Sequence, residues 1–174
     1  MTRQILYRGR KIDLAVETEQ LPDGHSVQRE VVLHPGAVVI LPLVDAAHVC
    51  LLRNHRYAVD EVLWELPAGT LEKGEAPEVA APRELAEETG YRAGRWRKLT
   101  EFYPSPGILS ERMFLFLAQD LTAGPMQLEP GERIEPQVVA WADAMKWALD
   151  GIIRDGKTLV GLFLWDRLRE RGDA

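Results

Sequence analysis

The chain has 174 residues, 46% hydrophobic and 28% charged, with a formal net charge of −6, which suits one domain burying about 70% of its unfolded surface and requires no second one. The negative balance argues against a general nucleic-acid-binding surface, while local arginines and metal ions still permit a small phosphate-bearing ligand. The single cysteine, Cys50, excludes an internal disulfide and a cysteine metal cluster, and no segment reaches the ~18 apolar residues of a membrane span. Residues 1–11 carry no sustained apolar core either, so a cytoplasmic protein without a membrane partner is expected.

Lys11 to Glu17 alternates, with Ile12, Leu14 and Val16 on one side, which is the period of a half-buried strand. Pro22-Asp23-Gly24 signals a turn and Ser26 to Leu33 a returning strand, giving a hairpin module (residues 1–34) ahead of a main domain (35–174). Arg29 and Glu30 are exposed strand positions that reach a ligand only if this hairpin overlies a pocket. Ala37 to Val44 is almost continuously apolar, a strand buried on both faces. A turn at Asp45-Ala46-Ala47-His48 leads to Val49 to Arg53, its expected antiparallel partner. Cys50 lies in that apolar run and reads as an inert buried thiol in preference to a nucleophile. His34 and His48, at turns without companion ligands, read as surface residues. Arg53-Asn54-His55-Arg56-Tyr57 places two arginines where loops carry function; it is either a solvated loop or a phosphate contact.

Gly69 to Tyr91 concentrates negative charge: Glu75, Glu78, Glu84, Glu87 and Glu88 against Lys73 and Arg83. Its second half reads as a helix ending at Thr89, with Gly90 free to adopt the left-handed conformation past the end. Glu84, Glu87 and Glu88 then share one face and repel by a few tenths of a kcal/mol per pair. A divalent cation would reverse that sign, since hard ions prefer carboxylate oxygens. Periodicity leaves both a solvated face and a metal site open. Pro77 suits the first helical turn. Pro82 forfeits a hydrogen bond at up to ~3 kcal/mol, which predicts a kink or a helix whose regular part begins late.

Arg95 to Phe102 and Met113 to Ala118 read as strands joined through Ser105-Pro106-Gly107. The prolines fix a tight loop, either an ordinary rigid turn or a pocket rim where Gly107 lets backbone approach a ligand. Leu121 to Pro136 reads as an acidic loop and Gln137 to Trp141 as strand. Asp143 is expected to cap a helix through Leu149, and Thr158 one through Arg169, packed by Leu159, Leu162, Phe163 and Trp165.

Gly69, five residues, Glu75, seven residues, then Arg83-Glu84-Leu85-Ala86-Glu87-Glu88-Thr89-Gly90-Tyr91 resembles the Nudix box at every defining position. Leu66-Pro67-Ala68-Gly69, and a proline about sixteen residues past Gly90 within Ser-Pro-Gly and followed by Glu111, resemble the ADP-ribose pyrophosphatase branch of the Nudix hydrolases. The resemblance implies an α/β fold, the Nudix α/β/α sandwich with a mixed sheet preceded by the N-terminal β-hairpin. It also implies Mg²⁺, with Mn²⁺ as a substitute, held by Glu84, Glu87, Glu88 and the Ala68 carbonyl. Arg83 would orient the glutamates and Glu75 support the box loop. Arg56, with Arg29, Glu30, Ser105, Pro106, Gly107 and Glu111, would contact substrate, and Glu132 would be the general base, with Glu129 the alternative. The implied reaction is hydrolysis of ADP-ribose to AMP and ribose 5-phosphate. GDP-mannose hydrolysis and a noncatalytic nucleotide-sugar-binding module are the alternatives. A homodimer is implied, its hairpin reaching the partner's site.

Overall fold

The protein is described from a computed structural model covering residues 1–128, 131 and 133–173. Its centre is β4 (Ala37–Pro42), buried along its whole length. Strand alternation divides it between two cores. Val38 and Ile40 pack with Ala80, Ala81 and Leu85 of helix α1 (Pro77–Thr89). Val39 and Leu41 face a larger core containing Val49, Leu51, Leu66, Trp141, Leu162 and Trp165. Helices thus cover both sides of the strands, with α1 on one side and α2 (Trp141–Leu149) and α3 (Gly156–Glu170) on the other.

The four-stranded mixed sheet runs β7-β4-β9-β8. Here β4 is antiparallel to β7 (Ala68–Thr70) and parallel to β9 (Met113–Ala123), and β9 is antiparallel to β8 (Tyr91–Phe102). The expected partnership of β4 with β5 (His48–Arg56) does not occur. One bridge, Leu43 to Val49, joins them. Instead β5 lies between β10 (Ile134–Ala140) and β6 (Glu61–Glu65) in a second sheet. The reason is packing, because Val49 and Leu51 bury against Val39 and Leu41 face to face, which edge-to-edge pairing would prevent. Pro136 sits within β10, an edge strand, where the missing donor is tolerated.

The hairpin of β2 (Asp13–Gln20) and β3 (Ser26–Leu33) is present and carries a third strand, β1 (Thr2–Arg8), on its outer edge. Most of β1 is exposed, so it lacks the apolar alternation by which a strand is read. This small sheet is fastened to the β8–β9 connection: the Val32 amide donates to the Ile108 carbonyl (2.8 Å) and the Ser110 amide to the Val32 carbonyl (2.9 Å). His34 belongs to the joint and is not a plain surface residue. Its Nδ1 accepts from the Gly36 amide (3.1 Å) and lies 3.6 Å from a Glu111 oxygen.

Helix α1 runs from Pro77 with Pro82 inside it, so of the two expectations, a kink or a late start, the late start does not occur. Pro82 and Glu78, whose carbonyl loses its intrahelical donor, are both exposed, so water can serve that carbonyl. Gly90 ends the helix at φ 74° with its amide on the Ala86 carbonyl. The two other caps differ from expectation. Ala140 precedes α2 and Asp143 lies within its first turn. Asp155 caps α3, accepting from the Thr158 amide (3.0 Å). Thr158 is fully buried, and its hydroxyl accepts instead from the Leu66 amide (2.7 Å).

Candidate active site

A cavity of about 990 Å³ opens where α1, β7, the end of β5 and the segment before β10 meet. Glu84, Glu87 and Glu88 form its acidic wall, with Ala68 and Gly69 beside them, while Arg56 and Arg133 face it. Arg10 and Lys11, from the turn between β1 and β2, also line it.

The acidic wall is organised by one guanidinium. Arg83 donates through Nε and Nη2 to the two Glu75 oxygens (2.9 Å each) and through Nη1 to Glu84 (2.8 Å) and Glu87 (3.0 Å). A planar five-donor fork suits this bridging, where lysine would offer a point charge. Hydrogen bonding to Arg83 holds the Glu75 carboxyl below the usual glutamate value, and the same bond raises the pKa of Arg83. Glu75 also accepts the Glu72 amide (2.9 Å), which ties the loop before α1 to its face. Glu88 is 5% exposed and accepts the Ala68 amide (2.9 Å). A Cβ at Gly69 would overlap the Glu84 carboxylate where it stands, so a larger residue there would push that carboxylate out of its place in the wall.

This donor set is all oxygen: three carboxylates and the neighbouring Ala68 carbonyl. It fits a hard divalent cation such as Mg²⁺ or Mn²⁺. Among the described residues no three acidic, histidine or cysteine side chains converge to a ready-made cage, because Glu84 and Glu87 lean on Arg83 and Glu88 on the Ala68 amide.

Opposite lies a buried polar network. Arg56 grips Glu65 with two hydrogen bonds, Nε to Oε1 (2.8 Å) and Nη2 to Oε2 (2.6 Å). The Lys157 ammonium adds a third at 2.8 Å and also lies 2.9 Å from Asp155. Glu65 is 1% exposed. Burial pushes its pKa up, but the hydrogen bonds from Arg56 and the charges of Lys157 and Arg56 outweigh that, leaving it below the ordinary value. Sequence reading singled out Arg56 and missed Glu65, Asp155, Lys157 and Thr158 as a unit. A glutamate in a strand that is otherwise apolar around it was the available signal, but Lys157 stands 92 residues further on.

Of the other sequence-predicted residues, Arg29 pairs with Glu19 (2.9 Å) on the exposed hairpin, and Glu30 is exposed beside it. Ser105, Pro106 and Gly107 form an exposed turn whose Ser105 carbonyl accepts the Leu109 amide (3.0 Å). These residues and Glu111 do not line this chain's cavity. Glu129 and Glu132, the two candidates for the base, lie outside the described residues. Their neighbours Gly131 and Arg133 do line the cavity, and the Gln127 amide donates to the Glu87 carbonyl (3.0 Å). Cys50 is fully buried, and burial pushes its thiol up to about 12.

A carboxylate-bearing helix whose Arg83 gathers its glutamates, with Arg56 on the same cavity, sits in a mixed α/β protein with helices on both sides of its strands. The sequence profile of the NUDIX domain matches residues 33–159, and the chain belongs to that family. It is 39% identical to an ADP-ribose pyrophosphatase of Bacillus subtilis (strain 168) over 93% of this chain and 89% of that protein. A GDP-mannose pyrophosphatase of Cronobacter sakazakii (strain ATCC BAA-894) is 36% identical over 79% of this chain and 74% of its own. A crystal structure of an ADP compounds hydrolase superposes over 100% of this chain and 95% of its own, with a TM-score of 0.85 and 24% identity, a likeness of fold.

Proposed function

We propose that this Nudix pyrophosphatase hydrolyses ADP-ribose to AMP and ribose 5-phosphate in the presence of Mg²⁺, with Mn²⁺ able to substitute. The observation that supports it most is the complete box from Gly69 to Tyr91, centred on α1, with Arg83 gathering Glu75, Glu84 and Glu87 and Glu88 accepting from Ala68. The similarity to the Bacillus enzyme directs the choice of substrate.

Glu84, Glu87, Glu88 and the Ala68 carbonyl would hold the cation, which when bound neutralises the diphosphate and acidifies a water. The chain's own contribution is placement. Arg83 keeps mutually repelling carboxylates together on one face, and Glu75 fixes Arg83. Arg56 has its Nε and Nη2 edge committed to Glu65, while Nη1 carries no hydrogen bond among the described residues and the side chain is 44% exposed at the cavity. That edge is positioned to donate to a phosphate oxygen. In the reaction a water oxygen bonds to one phosphorus as its bond to the bridging oxygen breaks, giving two phosphomonoesters. Glu132 takes the water proton in this reading, with Glu129 the alternative.

The site is further proposed to work in a cytoplasmic homodimer. No helix among the described residues is long and apolar enough to cross a membrane. Leu6, Tyr7 and Ile12 are exposed on the N-terminal sheet, which suits contact with a second copy, and Arg29, Glu30, Ser105, Pro106, Gly107 and Glu111 would reach substrate in that assembly. A monomeric mass in solution would rule the dimer out.

GDP-mannose is the second reading, favoured by the similarity to the Cronobacter enzyme. Assaying ADP-ribose, GDP-mannose and diadenosine polyphosphates with Mg²⁺ for released phosphomonoester separates these possibilities. ADP-ribose should turn over fastest. Tight ADP-ribose binding in calorimetry without turnover would favour a noncatalytic module.

A further inference from the structure

The cavity contains an arginine whose orientation is set from behind. Glu65 lies beneath Arg56 at 1% exposure, and the Lys157 side chain is 7% exposed. One cation would suffice to neutralise Glu65, yet two converge on it. Arg56 takes both oxygens from the cavity side, and Lys157 takes Oε2 from the side of α3. Lys157 in turn contacts Asp155, the residue that caps α3. The next residue, Thr158, fixes the Leu66 amide two positions before Ala68. The first turn of α3 thus reaches both the phosphate-facing arginine and the strand entering the box.

We propose that Lys157 is a positioning residue for the anion-binding edge of Arg56, an inference that rests on the reading of this cavity as a diphosphate site. The ammonium bridges Glu65 and Asp155 and so balances both carboxylates. Without it, Arg56 is left as the one cation hydrogen-bonded to Glu65, and Asp155 loses its ammonium partner while keeping the Thr158 amide and hydroxyl. Two consequences follow from simple electrostatics. Glu65 is no longer held from the α3 side, so the carboxylate that orients the Arg56 fork can turn. The added negative charge behind Arg56 also offsets its attraction for an incoming anion. Both act on ground-state and transition-state binding alike, which raises KM and leaves kcat nearly unchanged. The effect must also pass through Arg56.

The test compares wild type, Lys157→Met, Arg56→Ala and the double variant in ADP-ribose hydrolysis with Mg²⁺, alongside NMR measurement of Arg56 Nε–H exchange in the substrate-free protein. Lys157→Met should raise KM roughly tenfold with kcat within about twofold, and the KM effect should vanish in the Arg56→Ala background. Exchange at Arg56 Nε–H should accelerate. If KM does not move, or moves by the same factor without Arg56, the proposal is overturned. If wild type cleaves no nucleoside diphosphate sugar, the functional reading falls, and exchange alone decides the positioning role: acceleration upholds it and an unchanged rate overturns it. Should Lys157→Met not fold, Lys157→Gln, which removes the charge and keeps a donor for Glu65, carries the same measurements.

Discussion

The two walls of the cavity hold carboxylates by opposite means. Glu84 and Glu87 on α1, and Glu75 in the loop before it, lie within eight residues of Arg83 along the chain, and that arginine gathers all three. In the floor, Glu65 is bound by Arg56, nine residues before it, and by Lys157, 92 residues after it. The first arrangement is a property of a helix and its leading loop. The second exists only once α3 has docked, so it couples the placement of Arg56 at the cavity to the completed fold. Exposure varies within each side: on α1 Glu87 is 32% exposed and Glu84 12%, and opposite them Glu65 is 1% exposed beneath Arg56 at 44%.

Breaking the helix wall should give the largest effect. Glu88→Gln removes a ligand-type oxygen while relieving repulsion along α1, so turnover should fall by at least about 10²–10³-fold with little change in thermal midpoint. Wild-type activity in that variant would remove Glu88 from the site. Arg83→Lys should follow, because a point charge cannot bridge Glu75, Glu84 and Glu87 together. A loss of about 10–100-fold is expected, as for other partners that orient ligands, and kinetics under saturating Mg²⁺ would show it.

Why one wall was legible in the sequence and the other was not follows from these distances. Helical spacing alone places Glu84, Glu87 and Glu88 on one face, and Gly69 and Gly90 mark its approach and its end. The double-sided burial of β4 was equally legible from its unbroken apolar run. Its neighbours were not, because nothing local tells β5 to pack across from β4 instead of beside it. The cap of α3 was misread because Thr158 and Asp155 are both good capping residues. The structure assigns the cap to Asp155 and engages the Thr158 hydroxyl with Leu66.

Smaller effects sharpen the contrast through pH. Glu65 and Glu75 both titrate below the ordinary value near 4.5 in the folded protein. Their stabilisation is therefore fully present above pH 4.5 and is lost as pH falls from there through the lower folded values. Thermal midpoints should decline across that window, and Glu75→Gln should flatten part of the slope. A slope unchanged by Glu75→Gln would show that its pairing with Arg83 contributes nothing measurable. The smallest effect concerns Cys50: with its thiol pushed up to about 12 and no exposed surface, it should resist a thiol reagent at neutral pH until the protein unfolds. Labelling of the native protein at the rate of the unfolded chain would contradict that.

The most direct measurement is product analysis of ADP-ribose incubated with the purified protein, with and without a chelator of divalent cations. Equal amounts of AMP and ribose 5-phosphate, abolished by the chelator and restored by added Mg²⁺, are predicted. Undiminished turnover in the chelator, or no cleavage by folded protein with Mg²⁺ present, would contradict the assignment of the α1 wall to diphosphate hydrolysis.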